Sequence, residues 1–493
     1  MIGAGVGGLA AAARLAALGH DVTVCERAER IGGKLALVER DGFRFDAGPS
    51  LVTMPFVLEE LFAATGDPLA GAVRLRRLDP VARYRFADGT ELRTAADLDQ
   101  LCAEIDDVLL PGSGTDWRRL LDHAARVWAA TYGPVLSSPL EGWRALARQA
   151  HRLGDLRAIA PWRTLRALGR RRLRDPRLRM LLDRYATYTG SDPRRAPAAL
   201  VTVPYAEQAF GGWYVDGGLH RLGQAVLDRA VERGSRVLLG AEVTGVVVDG
   251  GRVGGVRLAD GSRLPADVVV SDADAAHLYG RLLPGSVAAT TAPLRALRRA
   301  TPSLSGFALL LGVRAGRHRP AHHSVLFPPD YDAEFDAVFG RPARPVADPT
   351  VYVTVPHDAS VAPDGHEAWF VLVNAPRHGV AGDGGAIDWA APGLAESYAD
   401  RVLATMAARG LDVRDRVVLR EIRTPADLER ETAAPGGAIY GTSSNGVAAA
   451  FLRPANRSPV PGLFLVGGSA HPGGGLPLVV LSARIVAGLV GPA

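Results

Sequence analysis

The sequence contains little cysteine and almost no lysine. Cys25 and Cys102 are the only cysteines among 493 residues, which is too few for a disulfide framework or a cysteine-based zinc site. This scarcity fits a reducing compartment, so we expect a cytoplasmic protein. The chain also opens directly in a glycine-rich loop, without a basic and apolar leader, and we therefore expect no secretion signal.

Long apolar runs and short repeats are also absent. A helix that crosses a bilayer needs about 20 apolar residues, whereas the best candidate, residues 476–490, is shorter and carries Arg484. The 57 glycines and 34 prolines follow no period, which excludes a collagen. With 47% hydrophobic and 22% charged residues, the chain is predicted to be globular and not to span a membrane.

The net charge of +5 comes almost entirely from arginine, because Lys34 is the only lysine. This excess of arginine reflects either a coding bias toward arginine or selection for an anionic partner, and the sequence leaves both explanations open. Residues 144–184 contain 13 arginines and three acids. A helix there would separate an apolar face, Trp143, Leu146, Ala150 and Leu153, from a basic one, Arg144, Arg148 and Arg152. Such a surface is either solvated or suited to anionic lipid.

The order of elements predicts an α/β fold. Short β-branched runs separated by Asp-Gly turns predict strands over 243–248, 253–258 and 268–271. Further strand-like runs occupy 307–311, 369–373 and 463–466, and helical patterns occupy much of 99–188 and 219–233. Strands and helices therefore alternate along most of the chain.

The first residues carry a dinucleotide-binding pattern. Residues 3–8, Gly-Ala-Gly-Val-Gly-Gly, fit G-x-G-x-x-G, in which glycines allow a tight turn, a close approach to pyrophosphate and close helix packing. Glu26 follows a short predicted strand over 22–25, where a carboxylate can accept hydrogen bonds from ribose hydroxyls. The spacing and the acid together predict a bound dinucleotide.

The strand that should precede this loop is short in the sequence. About five apolar residues are expected before Gly3, and only Met1 and Ile2 are present. We expect the natural start codon to lie a few residues upstream. Intact-mass analysis of the protein from its source would test this, and a native N-terminus at Met1 would refute it.

Two further glycine turns favour FAD over NAD. One follows Glu26 in the run Arg30-Ile31-Gly32-Gly33-Lys34, a turn for which NAD dehydrogenases have no need. The other lies near the C-terminus, where a strand over 463–466 enters a glycine loop and a helix. Helix N-termini bind anions, so we expect a discontinuous domain in which both ends of the chain hold one cofactor.

Several longer motifs carry a family resemblance. They are residues 43–50 (FRFDAGPS), 185–193 (YATYTGSDP), 204–207 (PYAE), 212–218 (GWYVDGG) and 471–477 (HPGGGLP), together with the loop at 3–8 and residues 26–34. With these, the sequence resembles the bacterial carotenoid desaturases of the phytoene desaturase family, within the amine-oxidase-like flavoproteins. The match runs nearly end to end. Leu478, where many phytoene desaturases have a glycine, is more similar to relatives acting on later carotenoids or oxidising their ends.

The resemblance implies FAD as cofactor and a long polyene as substrate. It implies cofactor contacts from Gly3, Gly5, Gly8, Glu26, Arg30, Gly33, Lys34, Gly48, Pro49, Ser50, Val243, Gly467, Gly468 and Gly475. Removal of hydrogen from an allylic CH2–CH2 unit needs a hydride acceptor and a route for one proton. Glu207 and His471 are the candidate groups for proton handling or flavin tuning, with a structural hydrogen bond as the alternative for each. Trp213 and Tyr214 either face the polyene or pack in the core.

The resemblance also implies a division of the chain. We expect a Rossmann-like FAD-binding domain from residues 1–80, 201–275 and 455–493, a mixed-sheet substrate domain from 81–98 and 276–454, and a helical subdomain from 99–200. The helical part is a candidate for contact with a membrane, because a forty-carbon hydrocarbon must be taken from the bilayer. The protein is thus expected in the cytoplasm, bound peripherally to the bacterial cell membrane.

Other functions are weaker alternatives. A carotenoid end-group oxygenase or ketolase of the same family is the main alternative. A flavin amine oxidase is less favoured, because such enzymes commonly use a lysine beside the flavin and Lys34 already belongs to the cofactor motif. We expect no metal site at His322 and His323, since neighbouring strand residues point to opposite faces. No nucleic-acid-binding module is recognisable.

Overall fold

The fold is described from a computed structural model of the chain. The structure describes residues 1–140, 159–317, 319–379, 384–446, 449 and 453–493. The amphipathic helix predicted around Trp143–Leu153 lies outside these residues.

The strands of the described residues are numbered in chain order. They are β1 Thr23–Cys25, β2 Leu37–Arg40, β3 Phe43–Asp46, β4 Leu75–Arg77, β5 Arg83–Arg85, β6 Glu91–Arg93, β7 Trp213–Val215, β8 Arg236–Leu238, β9 Val243–Asp249, β10 Arg252–Leu258, β11 Arg263–Pro265, β12 Val269–Ser271, β13 Ser305–Arg314, β14 His323–Leu326, β15 Val351–Thr354, β16 His366–Ala375, β17 Arg377–His378, β18 Ala386–Ile387, β19 Val417–Arg423 and β20 Leu463–Leu465.

The helices of the same residues are numbered likewise. They are α1 Val6–Ala17, α2 Pro55–Thr65, α3 Leu98–Val108, α4 Ser113–Thr131, α5 Leu165–Arg172, α6 Pro176–Arg184, α7 Thr202–Phe210, α8 His220–Glu232, α9 Ala275–His277, α10 Thr291–Arg299, α11 Asp332–Phe339, α12 Leu394–Ala408, α13 Pro425–Thr432 and α14 Leu476–Val490. Within this part of the chain, no helix is both long and apolar enough to cross a bilayer.

A parallel sheet joins distant parts of the chain. β8 pairs with β1, and β12 pairs with β20, all in parallel. Ile2 bridges the two pairs through parallel contacts with Cys25 and Ser271. Segments near residues 1, 25, 237, 270 and 464 therefore lie side by side, with the C-terminal ends of the strands at one edge.

Helix α1 packs tightly because its sequence is rich in alanine. Ala10, Ala11, Ala12 and Ala13 are fully buried, and alanine has the highest helix propensity while its small side chain allows close contact. α1 packs against α8 and against the C-terminal α14. The last helix of the chain thereby closes the core that the first helix opens.

The largest sheet has seven strands in the order β19-β13-β16-β15-β14-β5-β6. Its pairs are antiparallel except β14 with β5. Alternate residues of a strand point to opposite faces, and here the two faces have different roles. Phe307, Leu309, Leu311, Trp369 and Val371 lie on the face that packs against α12, in an apolar core. Ala308, Phe370 and Leu372, on the opposite face, line a cavity.

The helical region covers the other end of this sheet. Side chains of α3, α4, α5 and α6 share an apolar core with Tyr84 of β5, Leu92 of β6 and Phe327. Several arginines of this region are neutralised within the protein. Arg166 pairs with Asp183 and Asp332, Arg174 with Asp116, and Arg177 with Asp88 and Asp175. The structure is thus a mixed α/β protein with a large mixed sheet, as predicted.

Candidate functional site

A cavity of about 520 Å³ runs between the parallel sheet and the seven-stranded sheet. One part is lined by glycine-rich loops from both ends of the chain, including Gly3, Gly5, Gly468 and Gly475. The other part is lined by the sheet face described above, through Ala308, Phe370, Leu372 and Tyr352. A polar, loop-built end is therefore continuous with a largely apolar chamber.

The two glycine loops touch. A β-carbon built on Gly7 would lie 2.9 Å from the Cα of Gly467, a distance that real side chains do not adopt. A β-carbon on Gly8 would overlap the carbonyl oxygen of Gly3. Gly3 itself has φ of +91°, a conformation that favours glycine. The prediction that the two ends of the chain meet at one site is confirmed.

Glu26 lies at the end of β1, as predicted, and orders the loop. Its Oε2 accepts the backbone N–H of Ala4 at 2.7 Å, and its Oε1 accepts that of Ala28 at 2.9 Å. The carboxylate also lines the cavity. It is therefore fixed in an orientation from which it can accept hydrogen bonds from a ribose.

Asp272 is a partly buried acid of this site that the sequence reasoning missed. It lies between the first glycine loop and Gly467, and it lines the cavity. Burial raises the pKa of Asp272 to about 7, and the neighbouring Glu26 carboxylate acts in the same direction. Its position directly after β12, at the carboxyl end of a parallel strand, is the signal that could have identified it.

Two buried cations hold the wall of the cavity. Lys34 Nζ donates to the carbonyl oxygens of Ala438 and Ile439 at 2.9 and 2.6 Å. Arg453 Nη1 donates to those of Tyr440 and Gly468 at 2.7 and 3.0 Å. Burial lowers the pKa of Lys34, and it lowers the pKa of Arg453 to about 10. These bonds join the 438–440 segment to the turn that contains Lys34 and to the C-terminal glycine loop at Gly468.

Most of the residues predicted to contact the cofactor line the cavity. These are Gly3, Gly5, Glu26, Gly33, Lys34, Gly48, Pro49, Ser50, Val243, Gly468 and Gly475. Gly8 and Gly467 stand behind this wall, where they allow the close packing of the loops. Arg30 is exposed, and its Nη1 donates to the carbonyl of Leu37 at 3.2 Å.

The candidate catalytic residues Glu207 and His471 are not among the described residues that line the cavity. Glu207 Oε1 accepts the hydroxyl of Tyr185 at 2.7 Å, and burial raises the pKa of Glu207. His471 Nε2 donates to the carbonyl of Ser138 at 3.0 Å, and burial lowers the pKa of His471 to about 4. Each side chain thus has a structural contact, and the catalytic roles stay predictions.

Trp213 and Tyr214 also lie outside the cavity wall, as far as the structure describes it. Trp213 Nε1 donates to the carbonyl of Phe210 at 2.8 Å, and the Tyr214 hydroxyl donates to Asp358 Oδ2 at 3.1 Å. Both side chains pack in the core around α1. The packing alternative for this pair therefore accounts for their positions.

His322 and His323 are buried before and at the start of β14. His323 Nδ1 donates to the carbonyl of Val81 at 3.0 Å, and the two rings are 4.4 Å apart. Burial lowers the pKa of both histidines. In the described residues, no group of three or more His, Cys, Asp or Glu is arranged to hold a metal ion.

The chamber contains polar side chains that no sequence pattern indicated. Arg184, at the end of α6, lines it together with Tyr188, Tyr331, Tyr352 and Asn374. The Tyr352 hydroxyl is hydrogen-bonded to Ser50 Oγ at 2.5 Å. The region that covers the sheet thus brings a guanidinium and several hydroxyls into an otherwise apolar space.

The donor groups and spaces of this site suit FAD. The loop at Gly3–Gly7 presents the N-terminus of α1 to an anion, and Gly475 precedes the N-terminus of α14. Glu26 can bind a ribose, and the glycines leave room for backbone contact with a diphosphate. The long cavity joins these elements, so a dinucleotide with a flavin end fits better than a mononucleotide.

Comparisons with known proteins agree with this geometry. Residues 6–313 match the family of flavin containing amine oxidoreductases. The chain is 34% identical to a 4,4'-diapolycopene oxygenase of a Methylomonas species, covering 99% of this chain and 96% of that protein. It is also 34% identical to the hydroxyneurosporene desaturase of Rubrivivax gelatinosus, with 99% and 92% covered.

The fold has solved counterparts. Cyclohexylamine oxidase from Brevibacterium oxydans superimposes with a TM-score of 0.61, covering 99% of this chain and 98% of that one at 16% identity. This likeness shows the fold alone. The predicted FAD cofactor and the predicted oxidoreductase class are confirmed by the family match. The chain belongs to the flavin-containing amine oxidoreductases and, within them, to the carotenoid desaturase family.

Proposed function

We propose that this protein is an FAD-dependent carotenoid desaturase. The observation that carries the proposal is the continuity of the cavity, in which the cofactor loops open directly onto an apolar sheet face. The reaction removes two hydrogens from adjacent carbons of a polyene and forms a C=C bond. FAD, held by Gly3, Gly5, Glu26 and Gly475, would supply the hydride acceptor for this reaction. The neighbouring carbon would lose the proton, and a separate two-electron acceptor would be needed to restore the oxidised cofactor.

The chain's own residues orient the polyene and exclude water. Gly306 and Ala308 leave space above β13, and Phe370 and Leu372 of β16 supply an apolar floor. β13 and β16 pair in register, with Ala308 opposite Leu372. A rigid sheet can therefore hold an extended chain of carbons against the cofactor end of the cavity, where orientation lowers the barrier to reaction.

An oxygenase that acts on the end of a carotenoid is the second candidate function. A relative at 34% identity is named 4,4'-diapolycopene oxygenase. The same cavity can place a terminal methyl group, rather than an internal CH2–CH2 unit, next to the flavin. The desaturase is preferred because it needs no oxygen-donating reagent beyond the cofactor and its acceptor.

The test is expression in bacteria that accumulate phytoene, neurosporene or lycopene, followed by pigment spectra and masses. Loss of two mass units per step is the expected result. Gain of oxygen would support the second candidate. A purified, flavin-loaded protein that leaves all three pigments unchanged would overturn both.

We infer further that the protein takes its substrate from a membrane surface. A forty-carbon hydrocarbon has a negligible aqueous concentration, and basic amphipathic surfaces bind anionic lipid. Trp162, which is 63% exposed, directly precedes Arg163 in the helical region. Replacing Arg144, Arg148 and Arg152 by Glu is expected to weaken sedimentation with anionic liposomes. Unchanged sedimentation would contradict this inference.

The origin of the strands in the parallel sheet supports the predicted division of the chain into domains. The parallel sheet draws its strands from residues 2–25, 236–271 and 463–465, and these fall within the segments assigned to the FAD-binding domain. We propose that this domain, the seven-stranded substrate domain and the helical subdomain carry cofactor binding, substrate binding and substrate entry, respectively.

A further inference from the structure

Arg184 is a buried cation that faces the substrate chamber. Among the described residues, Arg184 is one of the most buried arginines, with 6% of its surface exposed. Its side chain lines the cavity. The guanidinium carbon lies 4.9 Å from the ring centre of Tyr188, 5.3 Å from that of Tyr352 and 5.9 Å from that of Tyr84. Aromatic faces thus surround the charge on several sides.

No acid forms a direct ion pair with this cation in the described structure, and the buried Glu207 carboxyl interacts with it only at longer range. No carboxylate oxygen of these residues lies within 4.0 Å of Arg184, in contrast to Arg166, Arg174 and Arg177 of the same region. Its hydrogen bond to a side chain is the one that Nη1 donates to the Tyr188 hydroxyl at 2.7 Å. The guanidinium carries five N–H donors, so donors remain for another acceptor. Burying them unpaired is costly.

Two hydroxyls of the same chamber lie next to each other. The buried Tyr331 hydroxyl interacts with Thr350 Oγ1, which also lies near the Glu334 carboxyl, but none of these contacts has good hydrogen-bond geometry. Both residues line the cavity with Arg184. A purely hydrocarbon ligand would leave the remaining guanidinium donors and the Tyr331 hydroxyl without a well-placed acceptor, and buried polar groups in proteins are almost always hydrogen-bonded.

We propose that Arg184, with Tyr331, recognises an oxygen atom on the polyene, so that the substrate is a polyene that already bears a hydroxyl or carbonyl group. This inference rests on the proposed function and narrows its substrate class. The oxygen lone pairs accept hydrogen bonds from the guanidinium, while the carbon chain lies along the apolar floor formed by β13 and β16. A site built to hydrogen-bond a substrate oxygen discriminates strongly against the analogue that lacks it.

The experiment compares polyenes of equal length that differ only at one end. The FAD-loaded protein is mixed anaerobically with an unsubstituted, a terminally hydroxylated and a terminal-aldehyde polyene in detergent. Bleaching of the flavin absorbance reports reduction of the flavin by the polyene, and the shift of the polyene spectrum reports binding. The wild type is expected to favour at least one oxygenated polyene over the hydrocarbon by about tenfold or more in the second-order rate constant of flavin reduction and in affinity.

Two variants test the residues. Arg184→Met is expected to bring the preference for the oxygenated polyene close to one. Arg184→Lys, which keeps the charge but not the planar fork, should restore part of that preference. Tyr331→Phe removes a hydroxyl with little change in packing and should reduce the preference by about threefold. Tyr279→Phe is the matched control, because Tyr279 is a buried tyrosine bonded to Ser458 outside the cavity wall.

The outcomes separate the inference from the function on which it rests. A wild type that uses the hydrocarbon as well as both oxygenated polyenes overturns the inference and leaves the desaturase intact. The inference is also overturned if Arg184→Met keeps the wild-type preference for the oxygenated polyene. It is likewise overturned if Arg184→Met loses its FAD and Tyr331→Phe keeps that preference. If no polyene bleaches the flavin, the proposed function fails, and the binding preference still decides the inference. If Arg184→Met does not fold, Tyr331→Phe decides it.

Discussion

Gly7 and Gly467, from opposite ends of the chain, lie so close that a β-carbon on Gly7 would be 2.9 Å from the Cα of Gly467. The same β-carbon would be 2.8 Å from Asp272 Oδ1. One methyl group at this point would therefore push apart the two loops that form the cofactor end of the cavity. Folding of the C-terminal segment and formation of the cofactor site are coupled at this contact.

Gly7→Ala is expected to lower flavin content severely and to destabilise the protein by about 1–3 kcal/mol, because overpacking forces backbone shifts. The ratio of flavin to protein absorbance and the thermal unfolding midpoint measure the two effects. Gly71→Ala is the control, since a β-carbon on Gly71 meets no atom within 4 Å. Normal flavin content in Gly7→Ala would contradict the close contact of the loops.

The affinity for FAD is expected to depend on pH through Asp272. Burial raises the pKa of this carboxyl to about 7, so it is largely neutral below that pH and ionised above it. An ionised Asp272 repels the diphosphate of a cofactor at the same loop. The dissociation constant should therefore rise by up to about tenfold per pH unit as the pH increases through the pKa.

Asp272→Asn removes this titration and serves as the matched variant. Its FAD affinity, measured by fluorescence quenching, should vary less with pH than that of the wild type. The same linkage acts on the apoprotein, because a carboxyl whose pKa is raised on folding contributes stability at low pH that is lost as the pH rises toward the folded pKa. An identical pH dependence in both proteins would refute the role of Asp272.

Glu207→Gln tests whether this acid takes part in the reaction. Its carboxylate contacts Tyr185 and does not belong to the described wall of the cavity, so we expect turnover to stay within about threefold of the wild type. A general acid or base contributes about 100-fold or more, and a loss of that size would establish the catalytic role. Tyr185→Phe, which leaves Glu207 without its partner, should instead lower stability by about 1–3 kcal/mol.

Lys34→Met tests the role of the single lysine. The Lys34 ammonium donates hydrogen bonds to the carbonyls of Ala438 and Ile439. Loss of these hydrogen bonds leaves both carbonyl acceptors unpaired and lowers the free energy of unfolding by about 1–3 kcal/mol. We expect a lower unfolding midpoint and weaker FAD binding.

The wild type should also release no hydrogen peroxide with aliphatic amines, and amine-dependent peroxide would favour the amine oxidase alternative.

The cofactor end was largely predictable from sequence, whereas the substrate chamber was not. Gly3, Gly5 and Glu26 belong to a local pattern whose spacing follows from one turn and one strand. Arg184 and Tyr352 come together only because the fold brings the end of α6 to the Tyr352 ring, and nothing in their local sequence indicates that contact. Asp272 was only partly predictable. The sequence predicts the strand that precedes it, but the role of an acid at the carboxyl end of that strand in the cofactor site was overlooked.

The same alternation that divides β16 into two sides makes the strand sensitive to insertion. Trp369 and Val371 contact α12, and Phe370 and Leu372 face the chamber. One extra residue between Val371 and Leu372 would send every following side chain to the wrong side. We therefore expect single substitutions along this strand to alter one side at a time, whereas an insertion would disturb the chamber and the contact with α12 together.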